Sequence, residues 1–88
     1  MNQLPFENTF KGEDGVRITL ENGQYTRIES DLKITGSYRW DTKDNDYYIH
    51  VQSKDNQNYE YRYRASDEGG SLCLLDNNQC RTIYLPIN

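Results

Sequence analysis

Side chains two residues apart on an extended chain point the same way, and Tyr59-Glu60-Tyr61-Arg62-Tyr63-Arg64 keeps that period throughout, setting three tyrosines against three charges. Such a segment has one face to bury and one to leave in water, which makes it a half-buried β-strand. The same beat recurs along the chain. Val16, Ile18 and Leu20 alternate with Arg17 and Thr19; Leu32, Ile34, Gly36, Tyr38 and Trp40 share a face; Tyr47, Ile49 and Val51 stand opposite Tyr48, His50 and Gln52.

Turn chemistry separates these segments. Asn22-Gly23 is the strongest hairpin signal, because both central residues of a type I′ turn need positive φ. Gly12 to Gly15, Ser30-Asp31, the polar run 41–46, the loop 53–58, Asp67 to Gly70 and Asp76-Asn77-Asn78 mark the other breaks. Strands are therefore predicted over 8–11, 16–20, 24–29, 32–40, 47–52, 59–64, 71–75 and 80–85, with 1–7 as an N-terminal arm whose Pro5 discourages a regular element. That arm is expected to lie across a barrel mouth.

Short strands at roughly ten-residue spacing, with no helical period between them, indicate a consecutive antiparallel meander. Left open, such a sheet would expose two edges, whereas closure pairs them and encloses the apolar face. The expected fold is all-β: one small antiparallel meander β-barrel of about six to eight strands over 8–88. Hydrophobic residues make up only 34% of the 88, but eight Tyr, two Phe and one Trp supply large packing units. Trp40, Ile18, Val51, Ile34 and the region of Tyr61 are the expected core.

A formal net charge of −4 argues against phosphate-backbone binding, which draws its affinity from Lys and Arg, so no nucleic-acid partner is expected. A partner of basic character suits this charge better. No run of about 18 apolar residues and no leader pattern is present, so no transmembrane segment is expected.

Chemistry-bearing residues are few. Cys73 and Cys80 flank the 76–78 turn cluster and can meet across a hairpin, as a disulfide or as paired thiols. Together with His50, the only histidine, they are also candidate ligands for a soft metal, although neither has the close spacing of a zinc framework. The acids Glu13, Asp14, Asp41, Asp44, Asp46, Asp67 and Glu68 all fall in predicted turns, where Asp bonds nearby amides. Asp41 to Asp46 lacks the glycine and distal glutamate of an EF-hand. Tyr59, Tyr61 and Tyr63 line a barrel interior, a ligand cavity or a partner surface. With no nucleophile–base set and no cofactor motif, the expectation is a non-enzymatic protein without a cofactor.

The stretch from Leu20 to Asp76 resembles the small lipocalin-like barrel domain of the NlpE family, copper-resistance and envelope-stress lipoproteins of bacteria. Glu21-Asn22-Gly23-Gln24-Tyr25 is similar to that family's turn-then-Tyr hairpin, Gly36-Ser37-Tyr38-Arg39-Trp40-Asp41 to its Gly-x-aromatic-x-Trp strand, and Leu72-Cys73-Leu74-Leu75-Asp76-Asn77 to its terminal Leu-x-x-Leu-Asp-x turn. The family's Cys-x-x-Cys has no counterpart, since Phe10 to Val16 contains no cysteine, and its lipid-bearing cysteine is not in this sequence either. The resemblance thus implies the fold and an envelope setting, in the periplasm or at the outer membrane; a chain starting natively at Met1 would be cytoplasmic. The resulting expectation is a binding module that engages a protein or small ligand through acidic loops, Asp44 and Asp46 foremost, or through its tyrosine-lined interior. The alternatives are a soft-metal (copper or zinc) sensor or carrier using Cys73, Cys80 and His50, and an inhibitor or immunity-type protein.

Overall fold

The computed structural model describes residues 4–53 and 60–87. Eight strands follow one another in the order β1 (Thr9–Gly12), β2 (Arg17–Glu21), β3 (Gln24–Glu29), β4 (Leu32–Lys43), β5 (Asp46–Ser53), β6 (Glu60–Ala65), β7 (Leu72–Asp76) and β8 (Gln79–Pro86). Each pairs antiparallel with the next, and β8 returns to β1 through Phe10↔Pro86, Lys11↔Leu85 and Gly12↔Tyr84, closing the barrel. Closure gives every strand a paired neighbour on each side.

Two-residue turns set the register. Asn22-Gly23, Asp44-Asn45 and Asn77-Asn78 all have positive φ at both positions, the requirement of a type I′ hairpin. Asn and Asp tolerate this left-handed region better than other non-glycine residues, because their short polar side chains bond locally. The Asp44-Asn45 turn corrects the predicted polar run over 41–46: β4 continues through Asp41, Thr42 and Lys43, which pair with Tyr48, Tyr47 and Asp46.

Alternation then decides what fills the barrel. Phe10, Val16, Ile18, Leu20, Tyr25, Ile34, Ile49, Val51, Tyr63, Ala65, Leu72 and Tyr84 are buried on the inner face, and Phe6 of the arm joins them. Trp40 departs from the predicted core and is 42% exposed. It shares the inward parity of Ile34, but β4 is twelve residues long and carries it beyond the barrel's body. Tyr61 is only partly buried, and Tyr63 takes the central place expected of it.

In an up-and-down meander, alternate connections fall at one end. The arm, the Asn22-Gly23 and Asp44-Asn45 turns, and the β6–β7 connection meet at one end, called here the arm end. Phe6 closes it, stacking edge-on against Tyr38, Trp40 and Tyr47 at centroid distances of 5.9, 5.8 and 5.1 Å. Glu7 fixes the arm in place. One carboxylate oxygen accepts from the Leu4 amide at 3.1 Å, the other from the Asn22 amide at 2.8 Å and the Tyr38 hydroxyl at 2.9 Å. Opposite, Gly69 has a φ of 72°, and a Cβ there would collide with the Pro5 carbonyl, so the β6–β7 connection needs glycine to admit the arm.

Candidate binding surfaces

The interior holds a polar cluster in an otherwise apolar core. The Tyr25 and Tyr63 hydroxyls are 2.7 Å apart, with both residues almost wholly buried. Arg27, two residues along β3 and so also inward, reaches the Tyr63 hydroxyl at 3.5 Å and lies 5.3 Å from the centre of the Tyr61 ring. It also contacts Glu29 at 3.4 Å, on the half-exposed rim of the far end. Among the described residues, the Arg27 Nε and the Tyr84 hydroxyl are buried and make no hydrogen bond. Burial pushes the Tyr25 phenol up to about 12, and pushes those of Tyr63 and Tyr84 up as well. The centre of the barrel is occupied by the chain's own tyrosines, Tyr63 among them. Tyr59 lies outside the described residues.

Acidic residues also stand at the arm end. Asp44 on the β4–β5 turn and Asp67 on the β6–β7 connection line one groove of about 460 Å³ with Thr42, Lys43, Asn45 and Tyr47. Trp40 stacks on Tyr47 at 5.5 Å, so a half-exposed aromatic pair stands beside the carboxylates. Glu21 and Glu68 are exposed on neighbouring turns. Asp46 pairs with Lys43 as the first residue of β5 and is half-buried rather than presented by a loop.

The outer face of β4, β5 and β6 has the opposite sign. Arg39, His50 and Arg62 form one cross-strand row. Together with Ser37, Gln52 and Glu60 they line a groove of about 270 Å³. On the other side of His50, a second groove contains Asp41, Lys43, Tyr48, Arg64 and Leu75. Alternation already placed Arg39 and His50 outward, and reading Asp44-Asn45 as a two-residue turn would have set them opposite each other. The Arg62 partnership depends on the β5–β6 register, for which the sequence held no comparable signal.

Cys73 and Cys80 form a disulfide, with Cα atoms 5.6 Å apart. The bond lies on the outer side of the β7–β8 hairpin, where a bulge between Leu74 and Leu75 shifts Cys80 toward Cys73. The sulfurs are thus joined to each other instead of standing as thiolates for a metal, and His50 is in the row between two arginines. Among the described residues, no trio of His, Cys, Asp or Glu is placed to hold a metal ion, and no helix is long and apolar enough to cross a membrane.

Compared with known proteins, the chain matches no family model, no curated protein and no solved structure.

Proposed function

We propose that this barrel is a non-enzymatic binding module of the bacterial envelope, engaging a protein partner of basic character through its arm end. The observation that carries this reading is the groove in which Asp44 and Asp67, from different connections, stand together beside the Tyr47 and Trp40 rings. Carboxylates next to a partly exposed aromatic pair offer charge for orientation and apolar surface for affinity. Recognition by the outside of the barrel is favoured over an internal small ligand, because Tyr25, Tyr63 and Tyr84 fill the centre.

The envelope setting draws on the resemblance to the NlpE barrel in the Glu21–Tyr25, Gly36–Asp41 and Leu72–Asn77 motifs. The Cys73–Cys80 bond supports it independently, since disulfides persist in oxidising compartments. An inhibitor or immunity-type role is the same reading with an enzyme as the partner.

Affinity capture from envelope extracts, at low and then raised salt, tests the proposal. A specific protein should be retained by the wild type and lost by the Asp44→Asn/Asp67→Asn variant, yet retained by Glu13→Gln/Asp31→Asn, which removes as much charge at the far end. Equal capture by all three, or equal loss from both variants, would overturn the assignment to this end.

A further inference from the structure

Basic residues directly opposite one another across strands repel, and sheets more often pair them with acids. The row Arg39–His50–Arg62 sets no acid opposite either arginine, on a chain with an excess of acids. Ion pairs among the described residues join Arg27 to Glu29 and Arg81 to Asp76, and neither Arg39 nor Arg62 takes part in one. Lys11 and Arg17 also face each other across strands, but they line none of the grooves described above. What sets the β4–β6 row apart is that its basic side chains border a concavity.

We infer that this groove is a second recognition surface, distinct from the arm end and of opposite sign, which takes an extended acidic segment of a partner protein. Adjacent strands lie about 4.8 Å apart, so the Arg39 and Arg62 backbones are separated by roughly 10 Å, the span of about three residues of extended chain. Two carboxylates at that spacing can each be met by one guanidinium, whose planar fork suits a carboxylate. His50 and Gln52 form the floor between them and offer further hydrogen-bonding groups. Glu60, one row along on β6, places a negative charge at the groove's edge and fixes how the acidic segment can lie. The chain's net charge disfavours a long polyanion, so a protein segment is preferred to nucleic acid.

The test is fluorescence anisotropy of a labelled oligoglutamate peptide at low salt. Wild-type protein should bind it, and Arg39→Gln/Arg62→Gln should bind about tenfold more weakly. Lys11→Gln/Arg17→Gln, with the same loss of charge, should bind as the wild type does. Circular dichroism of both variants controls for folding, and these exposed side chains should leave it unchanged. Absence of wild-type binding, or equal weakening by both variants, would overturn the inference. So would tighter binding of an oligothymidylate with the same dependence on Arg39 and Arg62, which would make the surface a nucleic-acid site. Sedimentation of the free protein supplies a last check: self-association abolished by Arg39→Gln/Arg62→Gln would make a second copy the occupant and contradict a separate acidic partner. The arm-end variants Asp44→Asn and Asp67→Asn leave this groove intact, so failure of one surface does not imply failure of the other.

Discussion

The hydroxyl of Tyr25 on β3 lies 2.7 Å from that of Tyr63 on β6, across the middle of the barrel and between strands that are not neighbours in the sheet. Each is the other's close polar partner in a core of aliphatic and aromatic side chains. Tyr63→Phe strands the Tyr25 hydroxyl and removes the contact to Arg27, whereas Tyr25→Phe leaves the Tyr63 hydroxyl with its long Arg27 bond alone. Either change should cost about 1–2 kcal/mol in urea unfolding at neutral pH. A change within a few tenths of a kcal/mol would mean that water reaches the pair.

The same burial makes the barrel sensitive to alkali. A phenol held protonated in the folded state and free to ionise in the unfolded one contributes stability that is complete below its unfolded value near 10. That contribution is lost as pH rises toward about 12, the folded value for Tyr25. Absorbance at 295 nm should therefore show Tyr25 and Tyr63 ionising together with loss of the near-ultraviolet dichroism signal. Smooth titration near 10 of a folded protein would contradict their burial.

Glu7 gives the opposite dependence at the acid side. Burial alone would raise its carboxyl, but bonds from the Leu4 and Asn22 amides and from the Tyr38 hydroxyl outweigh it, and the net direction is downward. Stability from this group is present above the ordinary glutamate range and is lost as pH falls through the lowered folded value. Glu7→Gln should destabilise the barrel by about 1–2 kcal/mol at neutral pH. It should also flatten the acid limb of stability against pH, and an unchanged acid limb would remove Glu7 as the arm's anchor.

Phe6 and Trp40 touch, with ring centres 5.8 Å apart, yet they should respond differently to truncation. Phe6 is fully buried at the closed end, so Phe6→Ala should cost about 3–4 kcal/mol. Trp40 keeps part of its surface in water, so Trp40→Ala should cost clearly less, about 1–2 kcal/mol. Chemical denaturation of the two variants decides the ranking, and the reverse order would contradict this packing of the mouth.

The Cys73–Cys80 bond closes a short loop, for which chain entropy gives about 2–3 kcal/mol. Reduction, or the Cys73→Ser/Cys80→Ser variant, should lower stability by that amount while leaving the β-sheet dichroism of the folded protein intact. An intact mass lower by two hydrogens than that of the reduced protein reports the bond in material from the native host.

Alternation and turn residues made most of the strands legible, because a period of two and an Asn-Gly dipeptide act locally. What the sequence left unread depends on distance between elements. Trp40 has the inward parity of Ile34, and only the length of β4 carries it past the core. Asp44 and Asp67 are far apart in sequence and meet because connections at one end of a meander converge. Phe6, in a segment without regular structure, gave no periodic signal, although it is among the most deeply buried residues. The cationic row on β4–β6 required cross-strand register, and only its Arg39–His50 half was encoded in a recognisable turn.

Recognition at the outside of a filled barrel can be mapped by titrating ¹⁵N-labelled protein with the partner captured at the arm end. Amide shifts should concentrate at Trp40, Lys43 to Tyr47 and Ser66 to Gly69, with Tyr25, Tyr63 and Tyr84 nearly unmoved. Shifts centred on Tyr25, Tyr63 and Tyr84, with the arm end silent, would mean that the barrel opens to receive its ligand inside.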